Sequence, residues 1–323
     1  MSCDPRLKLL SYSSRLTAHS CPRKYQLDKL NAAVDTPEDM ESSITFAFGH
    51  IVGLGIQLVF QGKSEDEVIW ELFNFWEPDL FAANDKQKKS FWLGIAAVQR
   101  FISMQQSGFL DDWELLYFED RPAVELSFKV ILPNGFSYRG FVDAVLIHKV
   151  TGKIMVLECK TSSVPNLNPA MYKNSAQAIG YSVVLDKLAP EISSYEVMYL
   201  VYLSKDMNYE VLPFVKSYLQ RALWIQELLL DVEILTMYEE AGVYPMHGES
   251  CFNYYRECKY LQTCQLSTAY LTTPLSETDL QLLEQKESEY QITVTVQDLI
   301  AAQLGRDKAS SIDLNDIKLG DML

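Results

Sequence analysis

Residues 124–160 read VELSFKVILPNGFSYRGFVDAVLIHKVTGKIMVLECK, in which extended apolar runs alternate with turn residues. Pro133-Asn134-Gly135 is typical of a hairpin turn, and Thr151-Gly152 marks a second turn. We therefore predict a meander of three strands over residues 124–132, 136–147 and 154–160.

The segments on either side of this meander predict the fold class. Helical periodicity occurs over residues 21–30, 46–60, 65–75, about 86–106, about 170–188 and about 215–240. An apolar, β-branched and aromatic run over residues 195–203 predicts a fourth strand. This order of elements predicts an α/β fold with a mixed central sheet flanked by helices. The last part of the chain is polar and acidic, and we expect residues 281–323 to form a small helical appendage or a partly mobile tail.

Composition and charge restrict the function. The chain has 323 residues, of which 48% are hydrophobic and 22% are charged, as expected of a folded globular protein. Its apolar stretches are shorter than the roughly 20 residues of a membrane helix, and a secretion leader is not evident, so we expect neither membrane insertion nor export. The net charge of −15 disfavours contact with a nucleic acid. However, residues 231–323 carry 16 acidic and 6 basic side chains while residues 1–30 carry a net +4, so both a local basic face and an ordinary acidic surface stay open.

Two neighbouring strands of the predicted meander carry carboxylates and a lysine. Asp143 lies in an apolar run of the second strand, where a buried carboxylate is costly unless a charge pairs with it. Glu158 and Lys160 lie two residues apart on the third strand and therefore share one face. Such a set suits phosphodiester hydrolysis, because two carboxylates can bind Mg²⁺ or Mn²⁺ and an ammonium can stabilise developing charge. The alternative is a structural ion pair between Asp143 and Lys160, with Glu158 at a rim.

Three further polar residues fit the same pocket. Gln177 and Tyr181 lie four residues apart on the helix that follows the third strand, so they share one face. Glu125 lies in the first strand and could add a third carboxylate. The alternative is a surface pair and a solvated strand residue.

These motifs resemble a known family. The patterns Gly-x-x-Asp, Glu-x-Lys and Gln-x-x-x-Tyr are similar to those of the PD-(D/E)XK nuclease superfamily in its RecB-like branch, and here they are Gly140/Asp143, Glu158/Lys160 and Gln177/Tyr181. The resemblance covers roughly residues 10–264 and implies a restriction-endonuclease-like core.

The resemblance also implies roles for individual residues. Asp143 and Glu158 would bind the metal, and the main-chain carbonyl of Cys159 would be a further ligand. Lys160 would orient or activate the attacking water. Gln177 and Tyr181 would support the site and the DNA backbone.

The position of a histidine departs from the pattern of this family. Many RecB-like nucleases have a metal-binding histidine about four residues after a glycine in an early helix, and the corresponding position after Gly49 is Gly53. His50 is the candidate for this metal ligand from a shifted register. The alternative is a helix cap or a packed surface group.

Four cysteines form a second candidate site. Cys251, Cys258 and Cys264 form a tight triplet, and Cys21 lies far upstream. Four thiolates of one site can hold Zn²⁺ or an iron–sulfur cluster, and their spacing does not decide between the two. The arrangement resembles the iron–sulfur nucleases of the AddB and CRISPR-associated type, which implies a structural [4Fe–4S] cluster on these four cysteines.

Arg23, Lys24 and Tyr25 follow Cys21 and predict phosphate contacts and a stacking ring for DNA. The alternative is an amphipathic helix whose charges lie in water.

Together these features predict a metal-dependent DNA nuclease. We expect an exonuclease that acts on DNA ends, single-stranded ones in particular, in recombination, repair or phage replication. We expect it in the cytoplasm of a bacterium or a phage-infected cell or at the nucleoid, with a replication or recombination protein as a further partner. The alternatives are a catalytically silent iron–sulfur module that binds DNA or assists assembly, and a redox-sensing regulator.

The predicted domain organisation has four parts. Residues 1–120 form an N-terminal helical region with the first cluster cysteine, and residues 121–245 form the nuclease core. Residues 246–268 form a cysteine-rich C-terminal cluster segment, and residues 269–323 form an acidic appendage.

Overall fold

The structure is a computed structural model that describes residues 4–30, 40–77, 80, 89–164, 166–187, 195–253 and 256–310. Its helices are α1 (Tyr12–Ser20), α2 (Pro22–Lys29), α3 (Met40–Phe60), α4 (Glu65–Phe75), α5 (Phe91–Gln106), α6 (Pro169–Lys173), α7 (Ala176–Val184), α8 (Tyr218–Ala241), α9 (Thr268–Leu271), α10 (Glu277–Ser288) and α11 (Val296–Ser310). Its strands are β1 (Leu9–Leu10), β2 (Trp113–Leu115), β3 (Tyr117–Phe118), β4 (Arg121–Pro122), β5 (Val124–Ile131), β6 (Ser137–His148), β7 (Ile154–Ser162), β8 (Tyr195–Leu203), β9 (Asn208–Lys216), β10 (Phe252–Asn253), β11 (Arg256–Glu257) and β12 (Ile292–Thr295).

A mixed sheet of eight strands forms the centre of the fold. Its strand order is β12-β5-β6-β7-β8-β9, and β1 and β2 also pair with β6. The β6/β7 and β8/β9 pairs are antiparallel, whereas the β7/β8 and β12/β5 pairs are parallel. The predicted α/β fold with a mixed central sheet flanked by helices is therefore confirmed.

The three-stranded meander is also confirmed. Asn134 and Gly135 have positive φ angles of 55° and 75°, so the backbone reverses between β5 and β6 at residues that tolerate the left-handed region. Gly152, at a φ of 67°, takes the same role between β6 and β7. The register places Ala144 opposite Leu157.

Several predicted boundaries were wrong. The helix predicted over residues 170–188 is two helices, α6 and α7. The long helix predicted from about residue 215 begins at Tyr218, because residues 208–216 form the strand β9 and pair with β8. The helix predicted from about residue 86 begins at Phe91 after the N-cap Ser90, and residues 86–88 lie outside the described residues.

The C-terminal segment also differs from the prediction. It contains α10 and α11, but between them β12 pairs in parallel with β5 and extends the central sheet. The side chains of Ile292, Val294 and Val296 are at most 3% exposed. This part of the segment is therefore core structure rather than an appendage, while residues 311–323 lie outside the described residues.

The chain divides into two compact units. The first consists of Met1–Pro37, Ser127–Gly140 and Ala222–Leu323. The second consists of Glu38–Leu126 and Phe141–Arg221. This division does not test the four predicted domain ranges, which stay a prediction.

In the second unit, helix α3 packs on two sides. Phe48, Val52 and Ile56 face a core that includes Leu157 of β7 and Leu200 of β8. The opposite side of α3 packs against α4 and α5. Because α3 packs against a core on each of these two sides, a third side of the helix lies next to β7.

A close approach of α3 to α5 explains one of the glycines in α3. A Cβ atom at Gly55 would lie 2.3 Å from Cγ2 of Val98, which is too close for any side chain. The same atom at Gly53 would meet nothing within 4 Å. The contact between α3 and α5 therefore requires glycine at position 55 but not at position 53.

In the first unit, a buried ion pair joins α1 to α8. The Arg15 guanidinium donates through Nε to Asp231 Oδ2 at 2.6 Å, and Arg15 is 4% exposed. His19 Nε2 lies 2.7 Å from Asp231 Oδ1, and this hydrogen bond raises the pKa of His19.

Among the described residues, no helix is long and apolar enough to cross a membrane.

Candidate active site

The β6/β7 hairpin brings together the three residues predicted from its sequence. Asp143 Oδ2 accepts a hydrogen bond from the backbone N–H of Cys159 at 2.7 Å. Lys160 Nζ donates to Glu158 Oε1 at 2.5 Å. Glu158 is 1% exposed, so the alternative with Glu158 at a rim and Lys160 paired to Asp143 is wrong in its geometry.

Burial changes the protonation of this cluster. It raises the pKa of Asp143 to about 6, against the opposing effect of the Cys159 N–H and the Lys160 charge. Burial and the negative charge of Asp143 together raise the pKa of Glu158 to about 8. Burial, the largest single effect, would lower the pKa of Lys160. The charge and hydrogen bond of Glu158 together with the charge of Asp143 oppose it, so the pKa is raised and the ammonium stays charged.

One carboxylate oxygen of this cluster lacks a partner. Glu158 Oε2 is buried and accepts no hydrogen bond from any described residue. A buried oxygen in this condition costs free energy, and a carboxylate costs more than a neutral group. A bound cation would remove this cost, so the donor chemistry of Asp143 and Glu158 fits a divalent metal ion.

The cluster lies at the wall of a cavity of about 660 Å³ in the second unit. This volume lies within the range of about 300–1,000 Å³ that is usual for ligand sites. The cavity is lined by residues of α3, α4, β5, the β6/β7 hairpin and α7: Thr45, Phe46, Gly49, His50, Val52, Gly53, Leu54, Gln57, Phe75, Glu125, Asp143, Glu158, Cys159, Lys160, Thr161 and Gln177.

Glu125 joins this cavity through an unusual backbone conformation. Its φ angle is 48°, a region that non-glycine residues seldom adopt and that is often found at functional sites. Gln57 Nε2 donates to Glu125 Oε1 at 2.5 Å. Burial raises the pKa of Glu125, and the Gln57 hydrogen bond opposes this shift. The third carboxylate predicted from sequence therefore lines the same cavity as the other two.

The sequence prediction missed Gln57. Its polar amide interrupts the apolar run of α3 between Ile51 and Phe60, and this interruption was the available signal. Gln57 is 7% exposed and lies four residues after Gly53, on the helix face that lines the cavity.

Gln177 and Tyr181 pair as the helical spacing predicts. Gln177 Nε2 donates to the hydroxyl of Tyr181 at 2.8 Å. Gln177 lines the cavity, whereas Tyr181 is 5% exposed and lies in the core. Gln177 thus faces the cavity, and Tyr181 lies behind it in the core.

A comparison with models of protein families identifies the family of this chain. A family model of the PD-(D/E)XK nuclease superfamily matches residues 9–265, a range that contains every residue of the cavity. The chain belongs to the PD-(D/E)XK nuclease superfamily. Among solved structures, it is similar to a candidate exonuclease from Eubacterium rectale, with 13% identity and a TM-score of 0.49 over 85% of this chain and 93% of that chain. A comparison with curated proteins found no match.

His50 lines the cavity. Gly53, the position that corresponds to the metal-binding histidine of many RecB-like nucleases, lines it as well. The His50 ring packs edge-on against Phe75, with 6.4 Å between the ring centroids. Within the described residues, no three His, Cys, Asp or Glu side chains are arranged so that they could hold a metal ion together. The ligand roles of His50, Glu125 and the Cys159 carbonyl therefore stay predictions.

The four cysteines predicted to share a site line one small cavity in the first unit, and all of them are free thiols. Burial raises the pKa of Cys251, and so do the charges of the other three. The chemistry of four thiols fits a metal or a cluster, although the thiols are not arranged around a common centre.

The basic residues next to Cys21 have different environments. Arg23 donates to the carbonyls of Cys264 at 3.0 Å and Leu266 at 2.7 Å, so its guanidinium joins α2 to the cysteine segment. Tyr25 is 1% exposed, and its hydroxyl donates to a backbone carbonyl at 2.6 Å. A base has no access to this ring, so the stacking role of Tyr25 is wrong. Phosphate contacts by Arg23 and Lys24 stay a prediction.

Proposed function

We propose that this protein is a metal-dependent deoxyribonuclease of the RecB-like branch, which hydrolyses DNA from its ends in recombination, repair or phage replication. We place it in the cytoplasm of a bacterium or a phage-infected cell or at the nucleoid, with a replication or recombination protein as a partner. The observation that carries the nuclease proposal is the buried Glu158 and the half-buried Asp143 beside Lys160. Glu158 Oε2 has no hydrogen-bond partner among the residues that the structure describes, and both carboxylates line the cavity.

The residues of the cavity have distinct roles in this proposal. Asp143 and Glu158 would hold Mg²⁺ or Mn²⁺, and such an ion would supply a Lewis acid for the phosphoryl oxygen and a lower pKa for water. Glu125 is placed by Gln57 to act as a further carboxylate. The Lys160 ammonium orients the attacking water and stabilises negative charge that develops on the phosphate.

The other predicted roles follow the same geometry. Gln177 contacts the DNA backbone from its place on the cavity wall, and Tyr181 fixes the Gln177 amide. The four predicted domain ranges are kept in this proposal with two changes. Residues 40–60, which lie in the predicted N-terminal region, supply one wall of the nuclease cavity. Strand β12, which lies in the predicted appendage, belongs to the central sheet.

Cleavage of labelled DNA by the Lys160→Ala variant tests this function. End-labelled linear DNA and circular DNA are incubated with Mg²⁺ or Mn²⁺, and wild type is compared with the variant. We expect a loss of about 10²- to 10⁴-fold in the cleavage rate, as for other groups that act on proton transfer or charge in the transition state.

Lys153→Ala is the matched control for this test. Lys153 directly precedes β7, the strand that carries Lys160. Its side chain is 66% exposed, and it is outside the cavity lining. Release of mononucleotides from linear DNA with intact circles supports exonuclease action. Equal cleavage by wild type and Lys160→Ala would exclude the proposed mechanism.

We also propose a [4Fe–4S] cluster on Cys21, Cys251, Cys258 and Cys264. The support is that these four free thiols line one cavity, although Cys21 and Cys251 are separated by roughly 230 residues of chain. Connecting these distant segments would stabilise the first unit.

Anaerobic purification followed by iron and sulfide analysis tests this cluster. We expect about four of each per chain in wild type and a loss of both in Cys258→Ser. Cys3→Ser is the control and should retain the cluster, because Cys3 is outside the proposed ligand set. A colourless protein with bound zinc and no iron would contradict the cluster and leave the nuclease proposal intact.

A further inference from the structure

Two phenylalanines are exposed at the wall of the candidate active-site cavity. Phe46 of α3 is 68% exposed and Phe75 of α4 is 52% exposed, and both line the cavity. Exposing a large aromatic side chain to water forgoes the free energy of burial, so exposed rings beside a reactive site indicate a contact surface.

The residues that follow Phe46 on the same face of α3 leave open space next to the Phe46 ring. Phe46, Gly49, Gly53 and Gln57 follow one another at helical spacing and all line the cavity. A Cβ atom at Gly53 would meet nothing within 4 Å, and one at Gly49 would have ordinary contact with Thr161 at 3.6 Å. This wall is therefore open beside the exposed ring.

Phe75 of α4 is contacted by His50 of α3, the helix that also carries Phe46. The His50 ring packs against it at a centroid distance of 6.4 Å and an interplanar angle of 75°, so His50 contacts the ring at an edge-to-face angle. This arrangement of aromatic rings leaves a ring face for another partner.

The chemistry of the cavity identifies this partner. Asp143, Glu158 and Lys160 form a polar part suited to a phosphodiester, whereas Phe46 and Phe75 form an aromatic part of the same cavity. A nucleotide is a ligand that presents a phosphate and a flat apolar ring a short distance apart. Aromatic side chains bind successive bases of unpaired strands in this way.

We propose that Phe46 and Phe75 stack on an unpaired nucleobase next to the phosphate that the carboxylates and Lys160 receive. This inference rests on the proposed function, and in it Phe46 and Phe75 select unpaired over paired DNA. A paired base is stacked on its neighbours and must leave the duplex before it can stack on a side chain. The protein therefore prefers DNA ends whose bases are unpaired.

Binding to a normal strand and to an abasic strand tests this proposal. Fluorescence anisotropy is measured in EDTA, where cleavage does not occur, with labelled oligothymidine of about 16 nucleotides and with an abasic strand of equal length. Wild type should bind the oligothymidine more tightly. Phe46→Ala and Phe75→Ala should each weaken this binding by about 5- to 100-fold and leave binding of the abasic strand unchanged.

Trp92→Ala is the matched control, because Trp92 is 69% exposed and lies outside the cavity lining. It should bind both strands as wild type does. Phe46→Leu and Phe75→Leu keep an apolar side chain and remove the ring, so they should weaken oligothymidine binding even if the alanine variants fold poorly.

Two outcomes would overturn the proposal. One is a wild-type protein that does not distinguish the oligothymidine from the abasic strand. The other is leucine variants that bind the oligothymidine as wild type does. Because the assay contains no metal, it is independent of cleavage: a failed cleavage test with intact base-dependent binding would reject the nuclease proposal and retain the stacking residues.

Discussion

Glu158 is the residue on which the candidate site depends most. Its carboxylate is 1% exposed, has a partner for one oxygen only within the described residues, and lies near the charge of Asp143. A side chain in this condition lowers the stability of the protein. Proteins commonly accept such costs at functional sites.

The raised pKa of Glu158 predicts how stability depends on pH. Folded Glu158 keeps its proton to a pH of about 8, whereas the unfolded chain releases it near the ordinary value for glutamate. The folded state therefore binds more protons in this window, and the contribution of Glu158 to stability falls as the pH rises from about 5 to about 8. In EDTA, we expect Glu158→Gln to gain on the order of a few kcal/mol relative to wild type across this range.

Urea unfolding at several pH values measures this difference. Glu114→Gln is the control, because Glu114 is an exposed carboxylate on β2 of the same unit. It should follow wild type at every pH. A constant difference between Glu158→Gln and wild type from pH 5 to pH 8 would contradict the prediction.

At the scale of elements, α3 contributes to both the core and the cavity. One side of the helix packs in the core through residues such as Phe48 and Val52, and another side lines the cavity through residues such as His50 and Gln57. The two glycines of this helix at positions 53 and 55 differ for the same reason. Gly55 faces Val98 of α5, whereas Gly53 faces open space.

Alanine at these two glycines should change stability in opposite directions. Gly53→Ala should stabilise the protein by about 0.5–1 kcal/mol, because alanine is the better helix former and no atom opposes its Cβ. Gly55→Ala should destabilise it by about 1–3 kcal/mol, because its Cβ would lie 2.3 Å from Val98. Chemical unfolding of both variants measures these differences, and shifts of the same sign would show that the α3/α5 contact is described wrongly.

At the scale of the whole molecule, the central sheet takes strands from distant parts of the sequence. Strand β12 pairs with β5, although more than 150 residues separate them along the chain. The pairing of β12 anchors this C-terminal segment. The buried side chains of Val296 and Leu299, which are 1% and 2% exposed, anchor it further.

Truncation of the C-terminus should therefore have a sharp limit. A chain that ends at Ser310 keeps β12 and α11 and serves as the reference. A chain that ends at Tyr290 should lose several kcal/mol, because each buried Ile, Val or Leu side chain contributes about 1.5–3 kcal/mol and the edge of β5 becomes exposed. Urea unfolding and size-exclusion chromatography measure the loss of stability and the aggregation, and equal stability of both chains would contradict the role of β12.

Much of the site was predictable because it is local. Glu158 and Lys160 are two residues apart on a strand, and a turn with Gly152 brings them beside Asp143. Strand periodicity and turn preferences are properties of short segments, so they can be inferred without knowledge of the rest of the chain. The pairing of Gln177 with Tyr181 follows from helical spacing in the same way.

The sequence alone therefore determined the hairpin, its carboxylates and lysine, and the α/β class of the fold. Only the tertiary structure decided that Gln57 holds Glu125, that Phe46 lines the cavity, that Tyr25 is buried and that β12 joins the sheet. These features depend on which surfaces of distant segments meet. Such contacts are selected by the packing of the whole core and leave only weak signals in any short stretch of sequence.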